Sequence, residues 1–350
     1  MTAVNAMLVI IVLSLLAYAL LAGADFGGGG WDLLAGLGRD RKTAEDQRSL
    51  ISASLGPVWE ANHVWLIFVI VCVFAGFPAA FGDIAVSLEL PLAFALLGIV
   101  LRGAAYVYRA YGQGAALPDR WWSRIFACAS VLTPFMLGVS GAALATGRLG
   151  PRAGSAATSS VVSTPLTPFE TPFALLAGLL AVVVTAFLAA VYLCFDAAQS
   201  PASAHMVEVF RRKAIGAAVA SGVVALAMLP FFYRDAPVVA ARFTDRSIPF
   251  AAVSALCGFG SLYVLWTKRY VLARATAAVA VAGVLIGWAV AQYPDLMTGV
   301  HTAQQAAAAP SSMDAMLVAM CCGMAVVLPS FFLLLRMFAK PVVEEHAAMH

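Results

Sequence analysis

Charged residues are scarce in this chain. Asp, Glu, Lys and Arg make up only 11% of its 350 residues, whereas hydrophobic residues make up 62% and the mean hydropathy is +0.91. Soluble domains carry about 25% charged residues, so this composition excludes a soluble domain and predicts a surface that faces lipid. The net charge of +3 is too small to indicate a nucleic-acid partner.

The chain also lacks the patterns by which cysteines form disulfide frameworks or bind metals. Its six cysteines lie inside apolar runs without a Cys-x-x-Cys pair, so we expect them to be small buried hydrophobic residues. No Lys or Arg precedes the first apolar run, and no small-residue cleavage site follows it, which argues against a cleaved signal peptide. We interpret that run as the first membrane span.

Apolar windows of about 20 residues, long enough to cross a bilayer, recur along the chain. They predict an all-α, polytopic membrane protein with one integral membrane domain over residues 1–350, divisible into two four-helix bundles plus one peripheral helix. Because only residues 78–83 separate the second and third windows, these two are expected to form a tight helical hairpin. The loops 147–171 and 294–313 lack the periodicity of a folded extramembrane domain. The nine windows are 4–24, 57–77, 84–103, 125–146, 172–194, 214–233, 250–267, 275–293 and 314–337.

The basic residues are distributed unevenly between the two sides of these spans. Only five of the 21 Lys and Arg residues fall on the side that contains the N-terminus; they are Arg148, Arg152, Arg234, Arg242 and Arg246. Since positively charged loops remain in the cytoplasm, the pattern predicts an N-terminus outside and a C-terminus inside.

An unusual polar segment, residues 56–66 with the sequence GPVWEANHVWL, opens the second span. An ionisable group inside a bilayer costs at least about 2.5–3.5 kcal/mol, so it is a functional hypothesis by default. On a continuous helix one arc of about 160° holds the side chains of Trp59, Glu60, Asn62 and His63. Trp65 lies outside that arc. A simpler interpretation, an acid at the positive end of a helix dipole, explains Glu60 but not its neighbours.

Three further charged residues are candidates for function. Asp25 lies in the segment GADFGGGG at the end of the first span, as an interfacial or capping carboxylate or as a functional acid. The glycines beside it are expected to let another helix approach closely. Glu89 is predicted to be buried in the third span, either as a proton-accepting group or as a hydrogen-bonding core acid. Arg102, which ends that span, could neutralise an acid or a lipid headgroup.

The histidines do not indicate a cofactor site. Glu60 and His63 form one Glu-x-x-His pair, but a carboxylate-bridged di-iron site needs a second pair and two further glutamates. No second pair exists in the sequence. Haem ligation needs a His or Met deep within a span, whereas His63 lies toward a helix end. We therefore expect this chain to bind no haem or metal by itself.

Four motifs occur in a fixed order along the chain: Gly23-Ala24-Asp25-Phe26-Gly27, the segment 56–66, Leu101-Arg102-Gly103 and Tyr293-Pro294-Asp295-Leu296. This series resembles subunit II of cytochrome bd-type quinol oxidases, including the cyanide-insensitive branch. The resemblance spans the whole chain, and the segment 56–66 is its most specific part.

The resemblance implies a multi-pass protein of the bacterial inner membrane that partners a haem-bearing subunit I in a terminal oxidase of the respiratory chain. Such a complex oxidises quinol and reduces dioxygen to water, and its haems b and d belong to subunit I. The resemblance also leaves room for membrane lipids, a structural quinone and small single-span accessory subunits. It implies a proton pathway through Glu60 and Asp25 and an oxygen pathway beside Trp65. Supporting residues are Trp59, Asn62, His63 and Arg102.

One position departs from the family pattern. Many members have an acid within Arg-Gly-x-x-Phe-acid-Phe-Arg, and here Val107 stands at that position. We expect the proton pathway to be absent or rerouted there, with Glu89 as the candidate replacement. Two alternative functions stay open. A proton-coupled secondary transporter would show two matched broken helices, and a purely structural membrane subunit would supply only packing and lipid contacts.

Overall fold

A computed structural model describes residues 2–35, 40–55, 59–111, 119–151, 161 and 163–338. Eight of its helices are long and apolar enough to cross a membrane, and the bent pair Glu60–Gly76 with Pro78–Ser87 brings the total to nine if it forms one span. This confirms the prediction of a polytopic helical membrane protein, and the nine predicted spans agree with the upper of these two counts.

The helices are numbered in chain order. The long ones are α1 (Ala3–Ala35), α6 (Glu89–Tyr111), α7 (Asp119–Ala145), α8 (Pro172–Gln199), α9 (Val207–Asp235), α11 (Ile248–Trp266), α12 (Tyr270–Gln292) and α14 (Pro310–Phe338). The shorter ones are α2 (Arg41–Leu55), α3 (Trp59–Asn62), α4 (Val64–Gly76), α5 (Pro78–Ser87), α10 (Pro237–Arg242) and α13 (Ala303–Ala306). Short 3₁₀ turns occupy Thr167–Phe169 and Pro201–Met206, and one π-helical turn occupies Phe243–Ser247.

The glycine tract lies within α1 rather than after it. A Cβ atom at Gly27 would collide with the carbonyl oxygen of Thr185 on α8, and one at Gly29 with the Ser130 hydroxyl on α7. Glycine in a helix interior costs about 0.5–1 kcal/mol relative to alanine. That cost is tolerated here because a side chain would prevent the close contact with α7 and α8, as the sequence predicts.

The predicted hairpin of the second and third spans is wrong. The chain bends by 120° after Gly76, and Pro78 begins the ten-residue helix α5, since proline suits the first turn of a helix. Packing also differs from a hairpin, because α4 packs mainly on α1, whereas α6 packs on α7. A whole helix therefore separates two spans that the sequence places side by side.

The loop 294–313, which was not expected to form a folded domain, contains short regular elements. It contains the antiparallel strands β1 (Asp295–Met297) and β2 (His301–Thr302), followed by α13. A capping box between Thr302 and Gln305 begins α13. The buried Ala303 and Ala306 then pack in one cluster with Phe77 and Ala80 around α5. Part of the other long loop, 147–171, lies outside the described residues.

The cysteines only partly follow the expectation of burial. Two are buried (Cys72 and Cys194), Cys257 is half-buried, and three are exposed (Cys128, Cys321 and Cys322). The thiol is a small, weakly polar group, so a lipid-facing surface accommodates it as readily as a core does.

The two ends of the spans can be told apart by their packing. At one end a cluster joins Ile51 of α2, Cys194 of α8 and Phe210 of α9; we call this the basic end, because α2 and the start of α9 carry many of the basic residues. The opposite end holds α5 and the hairpin of β1 and β2. The division into two bundles and the N-out orientation stay predictions.

Candidate functional site

A buried ion pair joins α1 to α6. Asp25 on α1 is 1% exposed and Arg102 on α6 is 2% exposed. The two guanidinium nitrogens of Arg102 donate to the two carboxylate oxygens of Asp25, at 2.6 Å and 2.9 Å. This bidentate geometry is the strong form of a charge-assisted hydrogen bond. Of the two options for Arg102, the structure shows the acid as its partner rather than a headgroup.

Helix α7 completes the surroundings of Arg102. The Nε atom of Arg102 donates to the Ser130 hydroxyl at 3.0 Å, and that hydroxyl donates to the carbonyl of Phe126 at 2.7 Å. The Arg102 guanidinium lies 5.0 Å from the ring centroid of Phe26 and 4.9 Å from that of Phe126. Side chains of two neighbouring helices, α1 and α7, thus surround the buried cation of α6 with a negative charge, a hydrogen-bond acceptor and two ring faces.

A second acid lies toward the end of α1. Asp32, which is 2% exposed, accepts from Arg109 of α6 at 2.9 Å and from Arg48 of α2 at 2.8 Å. Arg109 lies 5.1 Å from the ring centroid of Phe126, the same ring that packs on Arg102. We call Asp25, Arg102, Asp32 and Arg109 the ladder.

The ladder has a regular register. Asp25 and Asp32 are separated by two helical turns of α1, and Arg102 and Arg109 by two turns of α6. Each acid pairs with the arginine 77 positions further along the chain. Because both series run in chain order, α1 and α6 point in the same direction, as the first and third spans of an alternating topology must.

The start of the second span packs beside the ladder. Asn62 is 3% exposed, and its Nδ2 atom lies 3.5 Å from the carbonyl oxygen of Leu21 on α1. The His63 ring stacks on Phe26 at a centroid distance of 5.9 Å and meets Tyr18 edge-on at 6.0 Å. Phe26 therefore contacts both His63 and Arg102, and links the segment 60–65 to the ladder.

The helix predicted through this segment is broken. Helix α3 ends at Asn62, a turn follows at His63, and α4 begins at Val64. The backbone at His63 keeps right-handed helical angles, with φ −78° and ψ −15°, so the helical-wheel separation of Trp65 from the polar arc stays a prediction. Trp65 is 6% exposed, shares an apolar cluster with Tyr18 and Phe26, and meets Phe331 of α14 edge-on at 5.8 Å.

The structure describes the side chain of Glu60 but not that of Trp59. The Glu60 side chain is exposed on the surface of this chain. The side chain of Trp59 and residues 56–58 lie outside the described residues. Glu60 is thus close in sequence to the buried Asn62 and His63 but points away from the interior.

The expectation of a buried Glu89 is wrong. Glu89 is exposed and occupies the first turn of α6. It lies at the end of the spans opposite to the ladder. At 1.5 Å per residue, about 20 Å of helix separates Glu89 from Arg102, and about 27 Å separates it from Val107. Glu89 therefore cannot take the place of an acid at Val107. The prediction of burial failed because the sequence does not show that α5 is a separate helix and that α6 begins only at Glu89.

The sequence reasoning also missed part of the ladder. Asp32 and Arg109 were not chosen as site residues. Their signal was the shared seven-residue spacing from Asp25 and from Arg102, which places each pair on one helix face. Among the described residues, no group of three or more His, Cys, Asp or Glu side chains could hold a metal ion.

The fold and the ladder define a multi-pass helical membrane protein with paired charges buried at one end of its spans. Residues 4–338 match the family described as cytochrome bd terminal oxidase subunit II, and the chain belongs to that family. It is therefore a multi-pass protein of the inner membrane.

Two known proteins show how far the similarity extends. A 98-residue stretch is 31% identical to cytochrome bd ubiquinol oxidase subunit 2 of Bacillus subtilis (strain 168), and covers 27% of this chain and 28% of that relative. The matched stretch thus spans less than a third of the curated relative. The structure of bd oxidase from Geobacillus thermodenitrificans contains a chain with a TM-score of 0.77 and 21% identity, covering 97% of this chain and 99% of that one. This second likeness shows the fold.

Proposed function

We propose that this chain is subunit II of a respiratory quinol oxidase that reduces dioxygen to water, and that it works in a complex with a haem-bearing subunit I. The observation that carries the proposal is the buried Asp25–Arg102 pair. It joins two of the motifs by which the sequence resembles this family, in a chain whose family membership covers residues 4–338.

Within this proposal the basic end faces the cytoplasm, as the distribution of Lys and Arg indicates. Glu60 is exposed at that end, so it can exchange protons with water or with a neighbouring subunit. Asn62 and His63 follow it immediately and are in contact with α1. We assign the uptake step to Glu60.

The Asp25–Arg102 pair has a different role. Both oxygens of Asp25 accept hydrogen bonds from Arg102, so the two side chains hold each other in one geometry. The pair acts mainly as a fixed charge pair that positions the segment 60–65 through Phe26. In the proposed pathway the pair does not carry the proton itself but lies beside the route that the proton takes.

The alternatives are less well supported. A secondary transporter of the inverted-repeat kind would need two matched broken helices, and the described residues contain one bent pair. The haems of the proposed complex are assigned to subunit I, because His63 lies at a helix break between the rings of Tyr18 and Phe26 and not deep within a span.

Replacing Glu60 by glutamine tests the uptake step. Glu60→Gln removes the ionisable group but keeps the size of the side chain, and we expect quinol-dependent oxygen consumption of the purified complex to fall by about tenfold or more, equivalent to about 1.4 kcal/mol in the barrier. Glu60→Asp should retain more activity than Glu60→Gln. Haem content and the haem absorption spectrum should match those of the parent.

The matched control is Glu89→Gln, which alters another exposed glutamate at the opposite end. We expect it to turn over at the parental rate. Parental activity of an assembled Glu60→Gln complex would show that Glu60 is only an acid at a helix start. Equal losses in both variants would contradict the assignment of uptake to the basic end.

The oxygen pathway is tested at Trp65. Its indole is buried in the apolar cluster with Tyr18 and Phe26, and its Nε1 atom has no hydrogen-bond partner among the described residues. Such a group can line a hydrophobic channel but is not suited to pass protons. We expect Trp65→Phe to change the apparent affinity for dioxygen more than the pH dependence of turnover. A change in pH dependence alone would contradict this role.

A further inference from the structure

A groove of about 370 Å³ opens at the basic end, where α8 ends and α11 turns into α12. Its lining has two kinds of side chain. Lys268, Arg269 and Tyr270 contribute polar and charged groups, whereas Phe195 of α8 and Leu272 of α12 contribute apolar surface. None of these residues belongs to the ladder.

The two cations of the groove have no acidic partner among the residues that the structure describes. Lys268 and Arg269 are exposed and form no ion pair with any other described residue. The neighbouring basic residues do have partners. Arg211 donates to Glu208 at 2.7 Å, and Arg274 packs on two rings, including that of Phe195 at 5.2 Å. Within the described part of the chain, the groove therefore presents two positive charges without an ion-pair partner beside neutral surface.

The backbone conformation of Lys268 is a second reason to regard its charge as part of the groove. Its φ angle is 60°, in the left-handed region that glycine adopts without cost and that side chains with a Cβ disfavour. A glycine would make this turn more easily. The chain keeps a cation there instead.

The exposed face of α11 indicates the depth at which the groove lies in the membrane. One stripe of side chains spaced three or four residues apart is more than 70% exposed, and its members are Leu256, Phe259, Tyr263 and Trp266. Such a stripe faces lipid, and the tyrosine and tryptophan at its end are typical of the membrane–water interface. Because Trp266 directly precedes the turn at Lys268, the groove opens at the level of the lipid headgroups.

We propose that this groove binds an anionic diacyl phospholipid of the leaflet at the basic end. Lys268 and Arg269 contact the headgroup phosphate, and the exposed Val271 and Leu272 contact the upper part of an acyl chain. Two unpaired cations complement the negative charge of this ligand. The apolar wall, open toward the stripe of α11, selects a lipid over a free phosphate ion.

Native mass spectrometry of the purified, delipidated oxidase complex tests the proposal, with phosphatidylglycerol and phosphatidylcholine of identical acyl chains as probes. The parent should bind one phosphatidylglycerol more tightly than phosphatidylcholine. The double variant Lys268→Gln/Arg269→Gln should bind it about tenfold more weakly. A control that loses the same charge at the same end, Lys42→Gln/Arg212→Gln, should stay within about twofold of the parent.

Other outcomes would overturn the assignment. Equal affinity of the parent for the two lipids would mean that Lys268 and Arg269 do not discriminate between an anionic and a zwitterionic headgroup. Equal losses in the double variant and the control would mean that only net charge matters. Displacement of the lipid by inorganic phosphate at millimolar concentration would make the groove a site for a free anion. Val271→Asn, which keeps both cations, should weaken binding of the diacyl lipid but not of glycerophosphate.

Discussion

At the basic end of the spans the buried acids pair with arginines of other helices, whereas at the opposite end the buried Asp83 pairs with a histidine of the hairpin. Asp25 and Asp32 bind guanidinium groups from α6 and α2. Asp83 of α5 lies 2.7 Å from the Nε2 atom of His301, which begins β2. The first arrangement joins spans, and the second attaches a surface element to a short helix.

The two contacts differ in the elements that they hold together. A guanidinium matches a carboxylate with two parallel hydrogen bonds, and Arg102 does so with Asp25 between two spans. The contact of His301 with Asp83 is one hydrogen bond, between the hairpin and the short helix α5. Breaking the first should affect the whole subunit, and breaking the second should act locally.

The largest expected effect comes from Arg102→Leu. It leaves the Asp25 carboxylate buried at 1% exposure without its cation, which in comparable buried pairs costs about 3–5 kcal/mol. We expect a much lower yield of assembled complex and a large drop in its thermal unfolding temperature, measured by fluorescence in detergent.

A double variant sharpens this test. Asp25→Asn/Arg102→Gln removes both charges while keeping side chains that can hydrogen-bond, so it should recover more than half of the lost stability. An Arg102→Leu complex that unfolds at the parental temperature would show that the pair contributes little to the membrane core. The predicted larger effect at the basic end would then be wrong.

The sequence alone predicts the spans and the motif acids, because the apolar windows and the polar interruptions are both properties of short segments. It does not predict which charges meet. Asp25 and Arg102 lie 77 positions apart, and nothing in either motif selects the other over Asp32 or Arg109. That choice depends on how closely α1 approaches α7, which Gly29 permits through its contact with Ser130.

The errors about the hairpin and Glu89 have a common physical cause. Pro78 suits a helix start, but no local pattern shows that α5 is a separate helix and that α6 begins only at Glu89. Packing of α5 against the residues of α13 decides this, so Glu89 was predicted to be buried when it lies in the first turn of α6. Helix ends are where local patterns are least informative.

At the opposite end, His301→Phe should have a smaller and local effect. It removes one hydrogen-bond partner of Asp83, which is fully buried, at a cost of about 1–3 kcal/mol. We expect faster hydrogen exchange across residues 294–306 with little change in the unfolding temperature of the complex. His301→Gln, which retains a donor, should exchange more slowly than the Phe variant. Exchange that rises equally throughout the spans would show that this contact is global after all.

The smallest expected effect is that of Arg109→Leu, because Asp32 keeps its second partner. Arg109 is 25% exposed on its side chain, so water screens the pair, and Arg48 still donates to the other carboxylate oxygen at 2.8 Å. We expect a loss of about 1 kcal/mol or less, read as a small shift in the unfolding temperature. Arg48→Leu should behave alike. The double variant leaves Asp32 with neither arginine, so its loss should exceed the sum of the single losses by about 0.5–3 kcal/mol. Simple additivity would mean that the two arginines act on Asp32 independently, and the outer part of the ladder would then resemble ordinary surface pairs more than it resembles Asp25 and Arg102.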